Sequence, residues 1–549
     1  MKSKLIYVLA FVVIAITACN QATKTRKDVE TKESTSIESS FDEILSKFKT
    51  EIPTKILTPD HVDSRIGDLE FYDGIPTDAT LEKVYENLDF IRGIEVFLNF
   101  IPATSIEGMR LGMLELGLDD YNKVVVMDDL MDAKSLFLTG NASTVYASAI
   151  FDLERDGATV VEVPAGAGPG TVNDAFFRFV VDMGAPGPDA KKGGMYIILP
   201  PDYNGDLKPT LNGMQHRDKD RRVNVMVGGI NKKVWIAQSR SYSNWLILRG
   251  FLVDGKPDAA TKMWKEGLKI YPLKDANNPK KMEFINGSGK VFNTIHANNY
   301  EFYEELWSVI QKEPISFIDP ELRGQASSIG IIKGKPFEPS ERLKKTLKDA
   351  ITVGNATARS IGFAPRDKNA YLYEGKQWYT GFVGKDYQWL DGDGNQGRNM
   401  DARTLFFYTA TVNTPAMALE IEGVGSNYAF GGKDKEGKIL YGEKNYKLNM
   451  PANVPAKDFW SIVVYDPQTR SMLQTDQDYP NINSQKDPIV YNEDGSVDLY
   501  FGPTAPEGKE ANWIQTVPGK AWFVLFRTYG PLEPWFNKTW QLNDFERIE

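Results

Sequence analysis

Phe459-Trp460-Ser461-Ile462-Val463-Val464-Tyr465, closed by Asp466-Pro467, is the densest strand signal in the chain. A polar loop follows to Pro488. Beyond it, Ile489–Tyr491 predicts a second strand and Asn492-Glu493-Asp494-Gly495 a tight turn. Val497–Phe501 and Ala521–Tyr529 complete the set. Short apolar runs separated by turn residues describe a mostly antiparallel sheet. The stretch fixes where a core sits and names no reaction.

Working upstream, a second strand-rich block opens at Lys123. Val124–Met127, Ser135–Leu138, Thr144–Phe151, Thr159–Val163, Phe176–Val181, Met195–Leu199, Val223–Val227 and Lys233–Gln238 alternate with Gly, Pro, Asp and Asn. Their spacing predicts a sandwich or jelly roll. Trp245–Val253 reads as a helix leading into a strand. Between the blocks, Asn298–Gln311 and a helix capped by Ser340 carry apolar faces at three- and four-residue spacing. Ahead of both, Ala79–Phe100 is a helix that Pro102 is expected to end, with a resumption over Ser105–Leu118. Past Ala364 the chain is expected to be β to its end, with Thr404–Ala410 as one strand. The fold class is therefore mainly β with helical additions: two jelly-roll-like antiparallel β-sandwiches joined by a helical segment. The expected boundaries are 1–18 (signal), 19–40 (tether), 41–122 (helical), 123–275 (first sandwich), 276–365 (helical connection) and 366–549 (second sandwich).

The first residues carry a targeting signal. Lys2 and Lys4 precede an uncharged apolar run, Leu5–Ile16, which ends in Ile16-Thr17-Ala18-Cys19. A run this short suits a secretory signal better than a membrane span of about twenty residues. The tetrapeptide resembles the bacterial lipobox, so Cys19, the single cysteine of the chain, is the expected lipidation site. A diacyl anchor with a further acyl chain exceeds what stable membrane attachment needs. Asn20 in place of aspartate favours the outer membrane, on either its periplasmic or its surface face. The polar stretch Asn20–Ser40 reads as a flexible tether.

Composition suits an exported globular chain of two or three domains, with 42% hydrophobic and 25% charged residues over 549 positions. A net charge of −10 argues against nucleic acid as a partner. With the cysteine assigned to lipid, no disulfide is available. Aromatic residues reach 12%, which calls for a large β core or an aromatic binding groove.

Thr144-Val145-Tyr146-Ala147-Ser148-Ala149, Val160-Val161-Glu162-Val163-Pro164 and Gly194–Pro201 resemble the bacterial family called domain of unknown function 1254. Phe459–Asp466, Asn492–Val497, Glu510-Ala511-Asn512-Trp513 and Gly519–Tyr529 resemble its usual partner, domain of unknown function 1214. The resemblance implies two jelly-roll sandwiches arranged as in double-jelly-roll capsid proteins, and a homotrimer. It implies no agreed activity and no catalytic residues.

Motif chemistry is sparse. The histidines are His61, His216 and His296, so a Cys/His zinc site is nearly excluded. His296 lies just before the aromatic helix, with Glu301, Glu304 and Glu305 close behind. His296 with Glu301 is the candidate catalytic pair, an imidazole base beside a carboxylate; a histidine bonded to backbone at a helix entry is the competing reading. His216, amid six charged residues over 215–222, reads as a solvated loop. Asp391, Asp393 and Asn395 place oxygens at alternate positions, as calcium loops do, and calcium is the cofactor they would take. Ala402 stands where such a loop needs its closing glutamate, and a glycine-rich hairpin is the alternative. Asp401 and Arg403 are expected to form a buried ion pair. Gly166-Ala167-Gly168-Pro169-Gly170 is not a dinucleotide fingerprint, and no nucleophile elbow, HExxH or Walker sequence occurs.

Two functions fit. One is a lipid-anchored ligand-binding or structural module for a small ligand or glycan. The other is a periplasmic hydrolase built on carboxylates, tyrosine and His296. An open aromatic groove favours the first, and a closed pocket holding His296 or paired carboxylates favours the second.

Overall fold

The structure, a computed structural model, describes residues 50, 52–211, 221–392 and 397–549. Contacts divide the chain into two units, residues 1–87 and 88–549. In the first, the described residues form a small antiparallel sheet of 61–62, 69–72 and 75–76. Cys19, the tether and His216 lie outside the described residues, as do Asp393 and Asn395.

The second unit is mainly β with interleaved helices, as the strand spacing predicts. Its first strands are β1 (Lys123–Val126), β2 (Thr144–Asp152), β3 (Thr159–Val163), β4 (Pro169–Asp174), β5 (Phe179–Gly184) and β6 (Gly194–Leu199). They are followed by β7 (Val223–Val227), β8 (Ile230–Gln238), β9 (Ser243–Phe251), β10 (Lys269–Pro272) and β11 (Glu283–Asn286). One sheet has the order β7-β8-β6-β3-β10, and the other β11-β1-β2-β9-β4-β5. Val161, Tyr196 and Trp235 of one sheet and Val145, Ala147 and Leu246 of the other share one buried cluster, so the two sheets face each other.

The later strands repeat this scheme: β12 (Ser426–Gly431), β13 (Leu440–Tyr441), β14 (Asn445–Met450), β15 (Ala456–Tyr465), β16 (Asn481–Asn483), β17 (Val497–Gly502), β18 (Trp513–Gln515), β19 (Ala521–Pro531) and β20 (Glu546–Ile548). One sheet runs β12-β19-β15-β16, with β13 also on β19, and its partner runs β18-β17-β14-β20. Most pairings are antiparallel. The pairs β6–β8, β1–β11 and β17–β18 are parallel.

Five helices fill the space between the sandwiches: α1 (Asp78–Glu115), α2 (Glu301–Lys312), α3 (Pro320–Ser328), α4 (Glu341–Phe363) and α5 (Met400–Thr409). Strand alternation explains how one chain serves two cores. In β15, Trp460, Ile462 and Val464 point into their own sandwich, while Val463 and Tyr465 join the helical layer. β9 divides likewise, with Leu246 and Leu248 on one side and Trp245 and Ile247 on the other. Burial on both faces makes it a strand throughout, not the helix its unbroken apolar run predicted.

Three other expectations change. α1 continues through Pro102, because the turns around it are buried and that packing outweighs the cost of an interior proline, about 3 kcal/mol for the lost hydrogen bond and the ring clash together. Thr404–Ala410 is not a strand but most of α5, capped by the Asn399 side chain, which accepts from Ala402 N at 2.9 Å. Every residue from Ala402 to Thr409 is buried, so no amphipathic period marks it. Ile489–Tyr491 forms no strand; Val490 is exposed and donates its amide to Asn512 Oδ1 at 2.9 Å.

The Phe406 ring on α5 lies 4.6 Å from that of Phe382, 5.1 Å from Trp389 and 5.2 Å from Phe407. Phe406→Ala is expected to lower stability by about 3–5 kcal/mol, whereas Val490→Ala changes it by less than about 0.5 kcal/mol. Urea unfolding followed by tryptophan fluorescence checks this; equal midpoints would contradict the packing of α5.

Candidate ligand-binding cleft

His296 and Glu301 are not brought together. His296 is 2% exposed, and its Nδ1–H donates to Ala297 O at 2.9 Å. That bond leaves Nε2 as the unprotonated nitrogen, and it has no partner. Around it stand the rings of Phe97, Phe302 and Tyr408, at 6.4, 5.7 and 6.2 Å between centroids. Burial, and then the positive charge of Arg470, lower its pKa to about 3, so the ring is neutral at physiological pH. Glu301 lies exposed on the first turn of α2. The carboxylate that reaches this backbone is Glu305, one turn on, whose two oxygens accept from Ala297 N at 3.1 Å each.

Asp391 is exposed, and its amide donates to Gly397 O at 3.2 Å beside a Leu390–Arg398 bridge. Among the described residues no three His, Cys, Asp or Glu side chains converge on a common point. Asp401 and Arg403 do not pair with each other. Asp401 accepts from Arg366 Nε at 2.8 Å, and Arg403 Nη2 donates to Asn99 Oδ1 at 2.6 Å. Two positions apart on a helix, the residues lie on nearly opposite sides: Asp401 faces out and Arg403 faces in.

Arg403 faces a cleft of about 440 Å³. Its floor is buried and aromatic, made by Phe177, Trp389 and Phe407, with Arg403 and Asn413 as the polar groups. Trp389 and Phe407 meet edge to face at 5.0 Å, and Phe179 meets Tyr387 in the same way at 6.1 Å. Arg240 and Arg398 stand at the exposed rim opposite Asp319 and Glu321. Arg178 also lines the cleft, but Asp174 holds it at 2.7 Å. Arg403 is different. It is 7% exposed, it is in no ion pair among the described residues, and its Nε has no acceptor. Burial, and then the neighbouring charge of Arg398, lower its pKa to about 10, so it remains a cation at neutral pH. Asn413 Oδ1 is a second buried atom without a partner. A cleft of this size, with an apolar floor and few convergent polar groups, has the character of a small-molecule site.

Two family models match the chain. Residues 121–272 match a protein of unknown function, DUF1254, and residues 425–533 match a second, DUF1214, in that N-to-C order. The chain resembles the crystal structure of the VPA0106 protein from Vibrio parahaemolyticus, with 15% identity and a TM-score of 0.47 over 83% of this chain and all of that one. It resembles an uncharacterised Burkholderia cenocepacia protein more weakly, with 10% identity and a TM-score of 0.35 over 85% of this chain and 96% of the other. No curated protein matches. Phe177, Phe179 and Arg240 fall inside the DUF1254 match, whereas Trp389, Arg403, Phe407 and Asn413 lie between the two matches.

A separate cleft of about 310 Å³ carries Glu107, Arg110, Asp152, Lys312 and Glu313. Its charges satisfy one another: Arg110 Nε bonds Glu107 at 2.7 Å and Lys312 Nζ bonds Asp152 at 2.9 Å. Glu313 accepts from the amides of Tyr242 and Ser243 and is raised to about 7 by burial. Glu305 is raised further, to about 8, by burial first and then by the charges of Glu107 and Glu301.

These shifts set a pH dependence. A carboxylate raised from 4.5 to about 8 on folding contributes stability that is present below pH 4.5 and lost as the pH rises through 8. His296 has the opposite sense, its contribution being present above pH 6.5 and lost as the pH falls towards 3. Glu305→Gln is therefore expected to flatten the loss of melting temperature between about pH 5 and pH 8.5. Parallel curves for variant and wild type would contradict the assignment.

Proposed function

We propose that this chain is a lipid-anchored cell-envelope protein whose double-sandwich body binds a small organic anion in the cleft above Arg403. The observation that carries the ligand is the lone guanidinium in the aromatic floor. A buried donor without an acceptor costs about 1–3 kcal/mol, and a ligand carboxylate or phosphate offsets that cost with a charge-assisted hydrogen bond. The ring faces of Trp389 and Phe407 suit a planar or aliphatic body attached to that group. Asp319 and Glu321 at the rim are acceptors for ligand hydroxyl or ammonium groups. A neutral glycan would leave the buried charge unanswered, so an anion is the better occupant.

Anchorage rests on the sequence: Lys2 and Lys4, the apolar run Leu5–Ile16, and Cys19 after Ile16-Thr17-Ala18. The outer membrane is the proposed location, and the resemblance described above is the support for a homotrimer.

For the full-length chain in detergent, calorimetric titration with aliphatic and aromatic carboxylates and phosphomonoesters is expected to give one saturable site. Arg403→Met should weaken it at least about 30-fold, the effect of removing about 2 kcal/mol of buried charge pairing. Binding of neutral saccharides with no response to any anion would overturn the reading. Separately, Cys19→Ser is expected to abolish metabolic palmitate labelling. An unlabelled wild-type protein, or one whose size is unchanged by globomycin, would contradict the anchor.

A further inference from the structure

A second, much smaller cavity of about 40 Å³ lies on the other side of α5. Phe406 faces it, whereas Arg403 and Phe407 face the cleft. Both sandwiches build its walls. Arg249 on β9 stands directly across from Tyr146 on β2, and Arg527 on β19 stands directly across from Tyr428 on β12. Two arginine–tyrosine cross-strand pairs, one from each sandwich, therefore line one cavity, and no Asp or Glu lines it.

Several polar atoms around this space are unsatisfied. Arg527 is 3% exposed; its Nη2 donates to Thr139 O at 2.7 Å, while Nη1 has no partner. Thr411 Oγ1 and Tyr529 Oη are likewise buried without a partner. Arg249 lines the cavity and forms no ion pair among the described residues; its guanidinium carbon lies 5.7 Å from the Tyr146 ring. Asp182 acts on Arg249 from beyond ion-pair distance, and its own oxygens accept from Thr414 at 2.7 Å. Two guanidinium groups, Arg527 buried and Arg249 half-buried, thus line one small cavity with no carboxylate at ion-pair distance among the described residues.

We propose that this cavity binds a small inorganic oxyanion, of the phosphate, sulfate or bicarbonate class, between Arg249 and Arg527 at the junction of the two sandwiches. The planar fork of each guanidinium matches two oxygens of such an ion. Thr411 and Tyr529 supply hydroxyl donors to the remaining oxygens. Size excludes all but the smallest organic anions: a single water needs about 10–15 Å³ by this measure, so the cavity holds a group of only a few heavy atoms. Arg249, Met417, Ser426 and Tyr428 are its less buried lining residues and mark the entry. The site does not depend on the cleft reading, since none of its polar groups lines the cleft.

The test is calorimetric titration of the full-length protein, in chloride buffer at constant ionic strength, with inorganic phosphate, sulfate and bicarbonate in turn. One of them is expected to bind at a 1:1 ratio with Kd below about 1 mM and to raise the melting temperature. Thr411→Val removes one hydroxyl at nearly constant volume and should weaken binding about 10-fold with little change in melting temperature in chloride alone. Arg249→Met should abolish binding. Absence of saturable binding by any oxyanion up to about 10 mM, or binding unaltered in both variants, would overturn the proposal.

Discussion

Guanidinium charge held inside the protein without a carboxylate beside it is the constraint to which the centre of this structure answers. Arg403, Arg470 and Arg527 are all buried, and none of them is in an ion pair among the described residues. Arg470 shows how such a charge is tolerated. Its Nε donates to Tyr408 O at 3.1 Å, its Nη1 to Gln468 O at 2.9 Å, and its guanidinium lies 4.3 Å from the Tyr408 ring centroid. Carbonyls and an aromatic face replace the missing anion. Arg403, Arg470 and Arg527 each keep one nitrogen with no acceptor, and what sets Arg403 and Arg527 apart is their surroundings. Those two open on cavities, and Arg470 lines neither of them. The difference separates a structural arginine from one that awaits a ligand.

The helical layer makes that arrangement possible. Each sandwich lends one sheet face to it, through Trp245 and Ile247 on one side and Val463, Tyr465 and Phe523 on the other. α5 runs through the layer buried all round, so its residues reach different spaces: Arg403 and Phe407 one cavity, Phe406 the other. Trp389 touches both rings and ties the two walls together.

The strands were legible because each presents one face to a sandwich core and the other to the helical layer or the surface, which writes a period of two or an unbroken apolar run. Two-faced burial also produced the error at Trp245–Phe251, since an unbroken run carries no period. α5 was unreadable for the same reason in helical form, and its Thr, Phe and Tyr content favours strands. The cleft was illegible because its residues come from segments as far apart as Phe177, Asp319 and Arg403, and spacing cannot show which arginine lacks a partner. One signal was present. Trp245-Leu246-Ile247-Leu248 runs into Arg249, and Phe523-Val524-Leu525-Phe526 runs into Arg527. A charge that continues an apolar strand inward points to a buried counter-ion or ligand. His296 and Glu301 looked promising for their proximity in sequence alone; the fold turns one inward and the other outward.

The account stands on anions answering these buried charges, and direct observation of one tests it most plainly. Crystals of the full-length protein grown in chloride and soaked in selenate, an anomalous scatterer of sulfate shape, would locate such an ion without ambiguity. The prediction is an anomalous peak whose oxygens lie within about 3 Å of the guanidinium nitrogens of Arg249 and Arg527. Density for water alone in that cavity, with selenate scattered over exposed lysines, would contradict it.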